Sequence, residues 1–266
     1  MQALSLFEIG LVLIGVLVGS LVTGFSLRSI LKRRTHHVLE RDKDRFVGLA
    51  SHYLLTPLTG LQAGLELLYE SHNLDIVARE RLYASLKRSE TRLSLTVQQL
   101  VLASQLTSDP LKITIKPASL AIIASAAITA LDPFSRQKSV TLRMQDNSAG
   151  LQVKLDPRYA RQALSAVLDN AIKFSPENAM VIIDVGSLPE YASVTISDRG
   201  PGMSAATVSK SATKFFRGTD LYQFDYEGIG LGLYVTKAIM EAHGGSLEVD
   251  SSPGNGTQVT LRFPNR

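Results

Sequence analysis

Cysteine is absent from all 266 residues, which excludes disulfides, thiolate metal sites and a cysteine nucleophile, and suits a cytosolic body without requiring one. Charge of either sign is absent from Ile9 to Leu27. Proline is nearly absent from His36 to Leu106, where Pro57 stands alone, so that stretch is open to long helices. Motifs of known nucleic-acid modules are lacking as well. The net charge of +4 and the pI near 9.3 would allow such a partner. However, Arg28, Lys32, Arg33, Arg34, Arg41, Lys43 and Arg45 gather directly after the apolar run, where a membrane surface explains them better. What is present is globular rather than disordered: 45% of residues are hydrophobic and 20% charged. The length is expected to hold two domains or fewer, without a long sensory or receiver module.

Nineteen residues at about 1.5 Å each give a helix of roughly 28 Å, close to a bilayer core. Ile9 to Leu27 therefore reads as one transmembrane helix within residues 1–27. The cluster from Arg28 to Arg34 should stay on the cytoplasmic side, with a short N-terminus carrying Glu8 outside. A cleaved signal peptide would need its positive charges before the run and a small-residue cleavage site after it. Gly15 and Gly19 form a GxxxG step that lets two helix backbones approach. The expected location is the cell membrane, single-pass, with a basic juxtamembrane helix over 28–45.

Residues 46–107 show helical periodicity. Val47, Leu54, Leu58, Leu61, Leu65 and Leu68 step by threes and fours, with Ser51 filling the gap, and after a polar break from Ser71 to Asp75, Leu86, Leu93 and Leu100 recur every seven residues. This predicts two antiparallel helices, whose stripes need a second copy, and hence a homodimeric four-helix bundle. His52 falls one position past the seam, about 100° round the helix, on a flank that solvent can reach. A lone helical histidine is most often structural, and His36, His37, His72 and His243 are read as surface or structural.

From Lys112 strands mix with helices, predicting an α+β chain whose residues 111–266 form an α/β sandwich. KITIKP reads as a strand, Ser119 as the cap of an alanine-rich helix, and SVTLRMQ with LQVKLD as a hairpin around Asp146 to Gly150. Asp156 and Pro157 start a helix running to about Phe174, with Asn170 and Lys173 three apart on one face. DRGPGM, Asp198 to Met203, follows the alternating run YASVTIS. GIGLGL, Gly228 to Leu233, opens a helix that Gly244 can end. HGGSLEVDSSPGNGTQVTLRFP, His243 to Pro264, reads as a closing hairpin.

Taken together these segments resemble sensor histidine kinases of two-component systems. SHYLLTPL, Ser51 to Leu58, is similar to the family's phosphoacceptor box. The resemblance makes His52 the residue that takes the terminal phosphoryl of ATP and passes it to a response-regulator aspartate. It makes Thr56 the residue that orients water when the regulator is dephosphorylated. LDNAIKFSP, Leu168 to Pro176, resembles the asparagine box, which implies that Asn170 coordinates Mg2+ and that Lys173 and Phe174 meet the nucleotide. Asp198, Gly200 and Gly202 match the first glycine box, whose aspartate accepts the exocyclic amine of adenine. Gly228, Gly230, Leu231, Gly232 and Leu233 match the second, whose helix N-terminus faces the phosphates. Gly254, Gly256 and Thr257 match the last turn, and KFFRG, Lys214 to Gly218, the phenylalanine box. There Lys214 and Arg217 would neutralise the terminal phosphate, beside a lid over Thr219 to Glu227. The implied fold of the nucleotide domain is the Bergerat type, and the implied cofactors are ATP and Mg2+.

Two departures stand out. The family's acid directly after the histidine is Tyr53 here, and phenols keep their proton at neutral pH, so they make poor bases; slow autophosphorylation is expected. The related gyrase-like and Hsp90-like ATPases hold a glutamate one turn before the magnesium asparagine, and here that position is Ala166, so efficient hydrolysis lacks its base. Three readings therefore stand side by side. The first is a histidine kinase with phosphatase activity, the second a kinase-impaired phosphatase or scaffold, and the third an ATPase.

Overall fold

A computed structural model of the chain describes residues 48, 50–70, 75–106, 110–216 and 228–265. The chain divides into a unit from Met1 to Leu49 and a unit from Ala50 to Arg266, and the description below concerns the second. The run from Ile9 to Leu27, Gly15 and Gly19, the basic cluster, Val47, His36, His37, His72, Arg217 and the expected lid lie outside the described residues. Among the described residues no helix is long and apolar enough to cross a membrane.

Residues 50–70 form α1, which continues through Pro57. Proline removes the amide that would bond to the carbonyl of Tyr53, and one residue earlier the Thr56 hydroxyl donates to the His52 carbonyl at 3.0 Å. Helix α2, Ile76–Gln105, starts on Asp75, whose carboxylate accepts from the Ala78 amide. The two run antiparallel: a Cβ on Gly60 would meet Ser89, and one on Gly64 would meet Leu86 and Leu82. Leu58 and Leu65 of the expected stripe remain 40% and 58% exposed, so one hairpin leaves its apolar face uncovered.

The remaining elements are β1 (Lys116–Ser119), α3 (Leu120–Gln137), β2 (Thr141–Asp146), β3 (Gln152–Leu155), α4 (Pro157–Phe174), β4 (Met180–Ser187), β5 (Tyr191–Ser197), α5 (Ala205–Val208), α6 (Gly232–Ala242), β6 (Ser246–Ser251) and β7 (Thr257–Pro264). Five strands build a mixed sheet in the order β2-β4-β5-β7-β6, and β1 with β3 makes a separate pair. Helices α3, α4 and α6 pack on the sheet. The core between them holds Leu131, Leu164, Leu168, Ile183, Ile239, Met240, Leu261 and Phe263, all essentially without solvent contact.

Two expectations are corrected. β2 and β3 are not a hairpin, since β2 pairs in parallel with β4 and β3 pairs antiparallel with β1. Alternation identifies a strand but not its partner, and here the α4 crossover carries the chain back to lie parallel to β2. KITIKP is not one strand either. Pairing starts only at Lys116, because the Thr114 amide donates to the Asp156 carboxylate at 2.8 Å instead of to a neighbouring strand. The expected starts of α3 on Ser119 and α4 on Asp156, and the closing β6–β7 hairpin, are as read from the sequence.

Candidate functional site

The first part of the site is a pocket between α4 and the sheet. α4 contributes Val167, Asn170, Ala171 and Phe174; Ile196 and Val259 come from paired positions of β5 and β7; Asp198, Pro201, Gly202, Met203, Leu233 and Thr257 complete it. The apolar walls suit a flat aromatic ring, and the few polar groups are Asn170, Asp198 and Thr257. Sequence reasoning missed Val167, Ala171, Ile196, Met203 and Val259. Strand alternation predicts the inward face of β5 and β7 but not which inward residues stay uncovered by a helix.

Asp198 is the pocket's chemical centre. Its Oδ1 accepts from the Gly200 amide at 2.8 Å and the Thr257 amide at 3.1 Å, so Oδ2 keeps its acceptor capacity. Burial pushes the carboxyl above the usual carboxylate range, against the pull of the two amides. A bound N–H donor would satisfy a group that burial leaves costly. The turns around it need glycine: Gly202 has φ +68° and a Cβ there would lie 2.0 Å from the Ser252 carbonyl oxygen, while Gly256 has φ +74° and a Cβ there would lie 2.1 Å from that of Asp198. Gly200 sits under the Phe174 carbonyl, whose oxygen would lie 2.7 Å from a Cβ.

α6 begins at Gly232 with no side chain capping its first turn, leaving backbone amides available to an anion. Asn170 faces this end, its Nδ2 3.6 Å from where a Cβ on Gly232 would stand. Gly230 has φ +75° beneath the Phe216 carbonyl, and Leu231 is fully buried at the helix start. Leu231 therefore braces the turn from the core, whereas Leu233 reaches the pocket. Lys214 is exposed, with its ammonium over the Phe215 ring.

The second part is a cleft of about 650 Å³ between the hairpin and the domain built on the sheet. His52, Tyr53 and Thr56 line it from α1, Arg88 and Arg92 from α2, and Lys138, Asp169, Lys173 and Glu177 from the facing side. His52 is exposed, as its place on the flank predicts, and Tyr53 stands edge-on to it with ring centroids 5.2 Å apart. Asn170 and Lys173, expected on one face, both approach the glycine turn at the start of α6, Asn170 near Gly232 and Lys173 near Gly228, although Asn170 lines the first part of the site and Lys173 the second. Lys173 Nζ bonds Asp169 Oδ2 at 2.5 Å, and Arg92 reaches Asp169 Oδ1 at 2.8 Å from α2. Burial pushes the Asp169 carboxyl up, but the charges of Lys173 and Arg92 more than offset this and hold it below the usual range. Sequence reasoning missed Arg92 and Asp169, because an ion pair 77 residues apart in sequence leaves no local pattern.

His243 is structural, as expected. Its Nε2 accepts from the Asp156 amide and its Nδ1 donates to the Ile239 carbonyl, which ties the end of α6 to the start of α4.

Comparison with known proteins meets this geometry. Residues 155–266 match the family described as histidine kinase-, DNA gyrase B-, and HSP90-like ATPase. The chain is 29% identical over 231 residues to the sensor histidine kinase WalK of Bacillus subtilis, covering 85% of this chain and 37% of that protein. It is 31% identical to the circadian input-output histidine kinase CikA of Synechocystis, covering 84% and 31%. The chain thus spans less than half the length of these curated relatives. The fold is shared with the Acinetobacter baumannii histidine kinase AdeS (TM-score 0.53, 23% identity, 81% of this chain and 98% of that one). It is also shared with full-length ShkA, solved in complex with AMPPNP (TM-score 0.58, 20% identity, 83% and 45%). With its base-sized pocket around Asp198 and its uncapped α6, the stretch 155–266 belongs to the histidine kinase-, DNA gyrase B-, and HSP90-like ATPase family, and over most of its length the chain is similar to sensor histidine kinases.

Proposed function

We propose that this chain is the kinase core of a membrane-anchored sensor histidine kinase: ATP held in the Asp198 pocket phosphorylates His52, and the phosphoryl group then passes to an aspartate of a response regulator. The observation that carries the reading is the union, in one chain, of a buried carboxylate pocket with an exposed histidine that shares a cleft with Lys173. Asp198 would accept the adenine amine through Oδ2, Phe174 and Leu233 would flank the ring, and the α6 amides would receive the phosphates. Asn170 fits a magnesium ligand, since that ion takes oxygen donors, keeps several waters and accepts a single amide oxygen beside phosphate oxygens. When bound, magnesium would neutralise phosphate charge. Ala166, buried one turn before Asn170, offers no base for water, which argues against efficient hydrolysis.

The apolar face of the hairpin supports a homodimer, and the uncharged run from Ile9 to Leu27 supports a single membrane anchor with residues after it cytoplasmic. In this arrangement His52 faces Asp169 and Lys173 rather than the adenine pocket, so transfer requires the nucleotide domain to move on the hairpin.

Incubation with γ-labelled Mg-ATP should yield acid-labile phosphate that vanishes in His52→Asn and Asp198→Asn and moves to a receiver domain. Label persisting in His52→Asn overturns the assignment. One observation favours a second reading, a chain stronger as phosphatase than as kinase: Tyr53 occupies the base position beside His52 while Thr56 lines the same cleft. On that reading Thr56→Ala slows regulator dephosphorylation while leaving ATP binding intact.

A further inference from the structure

The Asp169 carboxylate has two cationic partners supplied by different parts of the molecule. Lys173 comes from one turn along α4, and Arg92 comes from α2 of the hairpin that carries His52. All three side chains are withdrawn from solvent: 7% exposed for Asp169, 15% for Lys173 and 19% for Arg92. The Arg92 guanidinium is also held over the Phe134 ring of α3, 4.6 Å from its centroid. Lys173 meanwhile adjoins the glycine turn before α6, its Nζ 3.8 Å from where a Cβ on Gly228 would stand. It therefore lies between the carboxylate it pairs with and the turn where phosphates would sit.

We propose that Arg92 is a positioning residue for nucleotide phosphates: it holds the charge of Asp169 when Lys173 turns to the phosphates of ATP, so an arginine of the histidine hairpin sets the ATP affinity of the nucleotide domain. The proposal rests on the nucleotide site read above. Its physical basis is the asymmetry of buried ion pairs. Withdrawing one partner from a pair strands a charge at a high cost, whereas withdrawing one of two cations from a shared carboxylate leaves a pair intact. With Arg92 in place Lys173 leaves cheaply; without it Asp169 retains Lys173. By reciprocity, ATP phosphates that draw Lys173 away leave Asp169 paired with Arg92.

The test is calorimetric titration of the whole chain with Mg-ATP and, separately, with adenosine, which enters the base pocket but carries no phosphate. Arg92→Met should weaken ATP about tenfold and leave adenosine unchanged, and Arg92→Lys should restore most of the loss. In an Asp169→Asn background Arg92→Met should have no further effect, because the charge it manages is gone. If Arg92→Met does not fold, Arg92→Gln carries the same prediction, keeping a stem on Phe134 without the charge. Unchanged ATP affinity, an equal loss for adenosine, or the same loss in the Asp169→Asn background overturns the proposal. An Asp198→Asn control separates the failures. ATP binding that survives it sinks the nucleotide site itself, whereas binding that needs Asp198 but ignores Arg92 sinks only the role of Arg92.

Discussion

At the scale of single residues, the chemistry turns on two carboxylates and a phenol. Asp198 spends free energy on being ionised in an apolar pocket. Its folded pKa lies above the unfolded one, so its contribution to stability is fully present below about pH 4 and is lost as pH rises through the folded value. Asp198→Asn, which keeps an acceptor for the Gly200 and Thr257 amides, should therefore leave the neutral-pH melting temperature unchanged or raised while lowering ATP affinity at least about tenfold. A lowered melting temperature would mean that the carboxylate is structural. Tyr53, edge-on to His52, places a phenol where a carboxylate would serve as the base for the imidazole proton. Tyr53→Glu should raise phosphorylation of His52 by about tenfold or more, timed in single turnover. A fast rate in the unaltered chain would remove the reason for the prediction. Asp198 was legible through the resemblance of its segment to a glycine box, and its neighbours Gly200 and Gly202 fit the close approach that such a turn needs. Asp169 was not, since nothing local distinguishes a helix-surface acid from one buried under another element.

At the scale of elements, α4 organises the site, and its start is a junction. The Asp156 carboxylate caps the helix at the Arg158 amide, holds the Thr114 amide and pairs with the Arg158 guanidinium, while its own amide donates to His243. Burial pushes its carboxyl up, and the bonds from Arg158 and Thr114 outweigh this and hold it below the usual range. Asp156→Ala should cost about 2 kcal/mol, measured by urea unfolding at pH 7. Because the folded pKa is depressed, that stability is present above about pH 4 and lost as pH falls through the folded value, so the gap to the unaltered protein should close in acid. Helix starts at Ser119 and Asp156 were readable because caps are local chemistry. The β2–β3 hairpin was misread because strand pairing is not local, and two alternating runs joined by a short turn look alike whether they pair or part.

At the scale of the whole molecule, the hairpin displays Leu58 and Leu65, exposed in one copy, which the leucine periodicity assigns to a bundle seam. Leu65→Glu should convert a dimer to a monomer in sedimentation equilibrium while leaving nucleotide affinity within about twofold. A variant that stays dimeric places the contact elsewhere. Local sequence sufficed for the helix caps, the glycine turns that shape the Asp198 pocket, and the exposed flank position of His52. Each of these follows from backbone sterics or helical period within a few residues. Packing alone settled that Lys173 pairs with Asp169, that Arg92 joins the pair from 77 residues away, and that His52 looks into that cleft rather than at the base pocket. Those outcomes depend on which partly buried charge finds which partner when distant elements pack, and Coulomb attraction acts across space, with no period in the sequence to announce it.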